Sequence, residues 1–372
     1  MNFYKDFVCL LIFLRLLTFA LSVRAQSKPL VASRSLFRSV YTFGDSFVDP
    51  GNNNYLQTPA KANFPPYGKD FVNHVATGRF SNGGLLPDFL SFFFGYFNYQ
   101  HPYLDPRLNL NEVVTGVSFA SSTSGYDPLT ANLTNALNMS TQLEYFKQYK
   151  AKLQNKVGKK EADRRIGRAL FYVSTGAGDI TFSYFGDGST GGTRKENYTI
   201  PEYQLFIMQR IEEFIKGLSD QGARKIAVTG LPPLGCIPVA ITRFPRQPTT
   251  DSGRSCIDIL NSIARDYNIL LQNQLKDIQN KLSNSGTHIT YIDFEKPLLD
   301  IIKNPNRYGF TEVSKGCCGT GLDEVGPTCN KTSAVCADAS KYVFWDAAHP
   351  SERTYFITFL QNLAAVLRIV RG

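Results

Sequence analysis

Histidine is scarce in this chain, with four among 372 residues. That scarcity limits which residues can act as a general base near neutral pH. Only His74, His101, His288 and His349 are available for such a role. Several signatures are missing altogether. No Gly-x-Ser-x-Gly elbow occurs, which argues against the α/β-hydrolase type of lipase. No His-Glu-x-x-His occurs, which argues against a zinc protease. No Cys-x-x-Cys pair occurs, so the cysteines do not read as a metal site. No long Pro/Gly/Ser linker or internal repeat divides the chain, and beyond the first 25 residues no apolar run is long enough to span a membrane.

Those first residues read differently. Lys5 precedes the apolar run "FVCLLIFLRLLTFALSV", and Val23 and Ala25 frame a small-residue cleavage site. This is the pattern of a secretory signal peptide over residues 1–25, with 26–37 as an extension and 38–372 as a single domain. A membrane anchor fits less well, because Arg15 would sit in mid-bilayer at a cost of ~2.5–3.5 kcal/mol. Loss of Lys5, Arg15, Arg24 and Asp6 takes the formal net charge from +9 to +7. The remaining positive charge is scattered rather than striped, so nucleic acid is not the expected partner.

Export also sets the reading of the cysteines. Removal of Cys9 leaves six, an even number in an oxidising compartment. Cys236 and Cys256 form the near pair. Cys317 and Cys318 pair with Cys329 and Cys336, in an order the sequence leaves open. Four N-x-S/T sequons, at Asn132, Asn138, Asn197 and Asn330, mark candidate glycosylation loops.

Apolar runs of strand length occur at 38–43, 114–119, 169–174, 224–229 and 288–292. Helical periodicity lies between them. Residues 201–219 place Leu205, Met208, Ile211, Ile215 and Leu218 on one face. Residues 257–282 do the same with Leu260, Ile263, Tyr267, Leu271, Leu275, Ile278 and Leu282. The C-terminal stretch uses Phe356, Phe359, Leu360, Leu363 and Leu367. Alternating strand and helix predicts a doubly wound α/β domain with a parallel sheet buried on both faces. Ligands in such sheets bind at the carboxyl ends of the strands. Asp45 and Ser46 follow the first strand directly, in "YTFGDSFVDPGNNN".

"YVFWDAAHPSE" places Asp346 three residues before His349, so one loop can present both. Asp346 would fix the imidazole tautomer and the other ring nitrogen would take a serine proton. His288 opens an apolar strand and reads as a core residue; His74 and His101 read as loop residues. The dinucleotide-like "GDGSTG" at 186–191 precedes a sequon, not a helix, and reads as a surface loop. The 28 Phe and 19 Tyr read mainly as core, and "FLSFFFGYF" as a buried helix end.

Six blocks then appear in order: "FGDSFVDPGNNN", "GRFSNG", "GVSFASSTSGY", "LPPLGCIP", "CCGTG" and "FWDAAHPSE". Together they resemble the plant GDSL esterase/lipase family of the SGNH hydrolase superfamily, over about residues 38–368. The resemblance implies a flavodoxin-like three-layer α/β/α sandwich around a central parallel sheet. It implies Ser46 as nucleophile, His349 as base and Asp346 as its orienting carboxylate, acting on small-molecule or lipid esters through an acyl-enzyme, with no cofactor or metal. The family's oxyanion hole uses the nucleophile's N–H, a glycine N–H and an asparagine side chain. Here "SFASSTSG" stands for "NFASGGAG", so Thr123 takes the glycine's place and Ser118 replaces an asparagine. In "STGAGDI" Gly178 stands where the side-chain donor would be. That alteration leaves three readings open: a secreted ester hydrolase, an acyltransferase with an alcohol acceptor, or an inactive binding protein on the same fold.

Overall fold

The computed structural model describes residues 39–96, 98–109, 116–186, 193–244 and 254–371. The leader, the extension, residues 187–191 of the glycine-rich stretch, and residues 114 and 115 of one expected strand lie outside them.

Four strands form the central sheet: β1 (Val40–Gly44), β2 (Leu170–Ser174), β3 (Lys225–Thr229) and β4 (His288–Ile292). They pair in that order and all are parallel. The expected strand at 114–119 is a correction. Its described part makes only isolated bridges, from Ser118 to Thr42 and to Pro102. It still runs along the open edge of β1, where Thr42 N–H donates to Val117 O at 3.2 Å and Phe119 N–H to Thr42 O at 2.8 Å. The spatial order is therefore that of a flavodoxin-like sheet, with the second element lying outside the first. Pro102 has no N–H, so the ladder on the far side of Ser118 cannot extend through it.

Side-chain alternation along β1 explains the layers. Tyr41 and Phe43 enter one core with Phe171, Val173, Ile226 and Val228. Val40 enters the other with Leu170, Tyr172, Ala227 and Ile292. The first core is covered by α2 (Met139–Val157), α3 (Ile200–Asp220) and α4 (Asp258–Lys281). The second is covered by α1 (Leu86–Phe93) and α5 (Glu352–Arg371). Local sequence fixes the helix starts. Asn138 caps α2, accepting from Thr141 N–H at 2.9 Å. Thr199 and Glu202 form a capping box at α3.

Three expectations about burial need correction. Leu205 is 54% exposed and Leu360 45% exposed, because the buried faces of α3 and α5 are centred on Ile207, Ile211 and Phe214, and on Tyr355, Phe359 and Val366. His288 is exposed rather than core, since β4 is the edge strand. Of the expected buried helix end at "FLSFFFGYF", Leu90 and Phe94 are buried but Phe93 is exposed.

A second, two-stranded parallel sheet pairs β5 (Glu312–Gly316) with β6 (Tyr342–Phe344). Three disulfides are present: Cys236–Cys256, Cys317–Cys336 and Cys318–Cys329. The last two knit the loop between β5 and β6. That loop packs on Tyr67, Phe80 and Trp345 in a third apolar cluster.

Candidate active site

The site forms where β1 leaves the sheet. Gly44 has φ +136°, and a Cβ there would lie 1.9 Å from Ser174 O. Only glycine lets the chain turn this close to the end of β2. Asp45 N–H donates to Ser174 O at 3.1 Å, and Val48 N–H donates to Asp45 O at 3.1 Å, closing the turn. Gln142 of α2 completes it. Its Oε1 accepts from Gly44 N–H and its Nε2 donates to Gly44 O, both at 2.9 Å. Nothing in the sequence singled out Gln142, because its task is defined only by what lies opposite it.

The turn brings Ser46 to His349, 303 residues later. His349 Nε2 lies 2.8 Å from Ser46 Oγ. Nδ1 of the same ring lies 2.9 Å from both carboxylate oxygens of Asp346. The three residues that the sequence indicated are thus in one hydrogen-bonded line. Asp346 is fully buried and His349 nearly so. Oδ1 of Asp346 also accepts from Ala348 N–H at 2.8 Å and His349 N–H at 2.7 Å, and Oδ2 accepts from Tyr67 OH at 2.7 Å. The imidazole sits between Phe80 and Phe47, with ring centroids 4.8 and 5.7 Å away. The other three histidines are not in this group.

The asparagine run after Ser46 is a clamp on loop backbone, as expected for asparagine. Asn52 Nδ2 donates to Ser118 O at 2.9 Å and Ala120 O at 2.7 Å. Asn53 Nδ2 donates to Ala60 O at 2.8 Å and Ser122 O at 3.1 Å. Asn54 Nδ2 donates to Thr77 O at 2.7 Å. Asp49 was not anticipated. It accepts from the N–H groups of Gly51 and Asn52, both at 2.7 Å, and of Ser122 at 3.0 Å, stapling the Ser46 loop to the third block.

Thr123 follows that staple and has φ +65°. A β-branched residue in the left-handed region costs on the order of 1–3 kcal/mol. Its Oγ1 bonds to Ser122 O and to Thr134 Oγ1, which helps hold it there. Among the described residues none accepts from the backbone N–H of Thr123 or of Ser46. A backbone N–H left without a protein acceptor is free to bind an oxyanion.

Gly178 has ordinary helical angles, φ −62° and ψ −33°. A Cβ there would meet Thr130 Cγ2 at 3.0 Å and Phe182 Cδ2 at 3.3 Å. Its neighbour Asp179 offers no replacement donor. That carboxylate is buried and accepts from Tyr126 N–H at 2.9 Å, Asp127 N–H at 3.2 Å and the Thr130 hydroxyl. Thr175 Oγ1 is also engaged, donating to Ser124 O at 3.2 Å.

Burial pushes the carboxyl of Asp45 up to about 7, against the pull of Phe47 N–H and the charge of His349. Burial likewise raises Asp49 to about 6 and Asp179 to about 7. Tyr67 is raised well above its usual value, first by burial and then by the charge of Asp346, so it stays a proton donor. No group of three or more His, Cys, Asp or Glu side chains suited to a metal ion occurs among the described residues.

The profile of the family described as "GDSL-like Lipase/Acylhydrolase" matches residues 40–360. The chain belongs to that family. Family membership makes it an ester hydrolase, working on small-molecule esters. A GDSL esterase/lipase of Arabidopsis thaliana is 49% identical over 321 residues, covering 86% of this chain and 84% of the relative. A second from the same plant is 39% identical over 336 residues, covering 90% and 91%. GDSL esterase/lipase APG, also of Arabidopsis, is 40% identical over 324 residues, covering 87% and 89%. Among solved structures, an extracellular lipase from Streptomyces rimosus matches at a TM-score of 0.34 and 10% identity, over 90% of this chain and 98% of that one, too distant to add to the assignment. Of the three readings open to the sequence, this leaves hydrolysis favoured over acyl transfer and over an inactive scaffold. No helix among the described residues is long and apolar enough to cross a membrane.

Proposed function

We propose that this GDSL-family hydrolase cleaves carboxylic esters through an acyl-enzyme on Ser46. His349 Nε2 takes the hydroxyl proton as Oγ attacks the ester carbonyl. The N–H groups of Ser46 and Thr123 stabilise the oxyanion. The tetrahedral intermediate collapses, and His349 returns the proton to the departing alcohol. Water then attacks the acyl-serine with His349 again as base, releasing the acid and the free enzyme. Asp346 holds the imidazole with its proton on Nδ1. The observation that carries this reading is the unbroken line from Ser46 Oγ to His349 Nε2 at 2.8 Å and from Nδ1 to Asp346 at 2.9 Å.

The hole has two backbone donors in this reading, without a side chain from position 178. Turnover is accordingly slower than a three-donor hole would give, by up to ~10²–10³. The leader, the sequons and the three disulfides together support secretion. Of the four proposed glycan sites, Asn132 and Asn197 are exposed, whereas Asn138 and Asn330 are half-buried. The acceptor for deacylation is water, with an alcohol as the competing nucleophile; product analysis with added alcohols separates them.

A serine-reactive fluorophosphonate tests the nucleophile. The wild-type protein should be labelled on Ser46, and Ser46→Ala should be folded and unlabelled. A folded wild-type protein that resists the probe would overturn the reading.

A further inference from the structure

We infer that Tyr67 is a positioning residue for the triad, and that the disulfide-bonded loop following β5 sets its hydroxyl proton. The inference rests on the roles proposed above for Ser46, His349 and Asp346. Tyr67 is buried, with 1% of its surface exposed. Its hydroxyl makes two hydrogen bonds of opposite sense. Gly326 N–H lies 2.7 Å from the hydroxyl oxygen, and Asp346 Oδ2 lies 2.7 Å from the same oxygen. A backbone N–H can only donate. The tyrosine oxygen must therefore accept from Gly326, and its own proton must point at Asp346. The carboxylate in turn can only accept, so the remaining donor it faces is Nδ1–H of His349. The direction of every bond is fixed from Gly326 to the imidazole, and Nε2 is left as the nitrogen that accepts from Ser46.

The loop is tied at two points to the segment after β6 that carries Asp346. Cys329 N–H donates to Gly326 O at 3.0 Å, and Cys329 is bonded to Cys318. Cys318 N–H donates to Trp345 O at 2.9 Å, beside Asp346 in sequence. Ala347 N–H donates to Glu324 O at 2.9 Å, on the other side of Asp346. The loop thus grips the residues flanking the aspartate while aiming Gly326 N–H at Tyr67. Gly326 has φ +57°, a left-handed position at which its N–H can be presented without strain. Burial together with the charge of Asp346 keeps the hydroxyl protonated throughout the working pH range.

The chemical consequence has a sign. A hydrogen bond to Oδ2 draws negative charge away from the face seen by the imidazole. Its removal concentrates that charge and favours the imidazolium. Tyr67→Phe should therefore raise the pH at which His349 loses its proton, besides loosening the carboxylate. The other carboxyl that feels the imidazole's charge, Asp45, is not bonded to Tyr67 and is common to both enzymes, so the difference between their profiles reports the Tyr67 bond.

The test is the pH profile of kcat and kcat/KM on a short p-nitrophenyl ester, for wild type, Tyr67→Phe and Ser46→Ala. Tyr67→Phe should lower kcat about tenfold, leave KM within about twofold, and move the acid limb of kcat/KM upward by roughly half to one pH unit. A folded Tyr67→Phe enzyme with an unshifted acid limb overturns the inference, even where kcat falls, because a packing role alone would not move a titration. An active Ser46→Ala enzyme overturns the underlying reading, and the inference with it. The double change Cys318→Ala/Cys329→Ala should shift the limb in the same direction, and adding Tyr67→Phe should shift it no further. Fully additive shifts would sever the route through Gly326.

Discussion

Replacing Asp346 by asparagine separates orientation from charge. The carboxylate receives hydrogen bonds from four groups: Ala348 N–H and His349 N–H on Oδ1, Tyr67 OH on Oδ2, and Nδ1 of His349 on both. The two backbone donors cannot turn away, so the amide oxygen of the substituted side chain must occupy the Oδ1 position. Its NH₂ group is then forced to the Oδ2 position, facing Tyr67 OH and Nδ1. Tyr67 cannot reverse its proton either, because Gly326 N–H occupies its acceptor side at 2.7 Å. Nδ1 then meets the amide NH₂ at the Oδ2 position as well as the amide oxygen at the Oδ1 position, and the tautomer that accepts from the NH₂ carries its proton on Nε2. Nε2–H then faces Ser46 Oγ at the 2.8 Å contact and can no longer accept its proton. In serine-protease triads this tautomer error lowers kcat ~10⁴-fold, or ~5.4 kcal/mol of transition-state stabilisation. The same loss is expected here, with KM nearly unchanged since Asp346 is fully buried. Initial rates on a p-nitrophenyl ester measure it, with thermal melts to establish folding. A folded Asp346→Asn enzyme retaining more than about a tenth of wild-type kcat would refute the reasoning from the buried carboxylate to the base.

Two other outcomes are expected. Gly178→Asn should raise kcat by about tenfold or more by supplying a third oxyanion donor, at a stability cost of about 1 kcal/mol from crowding Thr130 and Phe182; an unchanged kcat in folded protein would remove the case for an incomplete hole. Asp45 bears on stability against pH. Its folded value of about 7 lies above the ordinary value of 3.8, so below pH 4 both states are protonated and nothing is lost. As pH rises from 4 to 7 the unfolded chain ionises first, and stability falls by up to ~1.4 kcal/mol per pH unit before levelling off. Asp45→Asn should remove that part of the slope, so its melting temperature relative to wild type should rise between pH 4 and pH 7. A difference that stays constant over this range would show that Asp45 ionises normally.

Much of the candidate site was legible because the residues proposed for it sit in short, chemically loaded strings. Asp346 and His349 share a loop, and Ser46 ends an apolar strand, so local spacing carried both halves. Their meeting also agrees with the rule that binding residues gather at the carboxyl edge of a parallel sheet. The helical period matches the buried face of α4, where Leu260, Ile263, Tyr267, Leu271, Leu275 and Ile278 are all buried. For α3 and α5 the periodicity marks a broader face than the one buried, because it shows an apolar stripe but not its angle to the sheet. That is why Leu205 and Leu360 proved exposed. The strand expected at 114–119 failed for a related reason: apolar residues describe burial, whereas a ladder needs continuous donors on both sides.

What the sequence determined alone is what depends on near neighbours. Strand and helix alternation, helix caps, the Asp346–His349 pair and the Cys236–Cys256 bridge all lie within a few dozen residues. The tertiary structure decided what depends on distant groups in close packing. It chose between the two pairings of Cys317 and Cys318, placed Thr123 at positive φ with its N–H unpaired, and set Gln142 against Gly44. It also brought Tyr67 to Asp346, 279 residues away. A hydrogen bond has a direction and a length of about 3 Å, and no one-dimensional pattern encodes which two groups will satisfy both once the chain is folded.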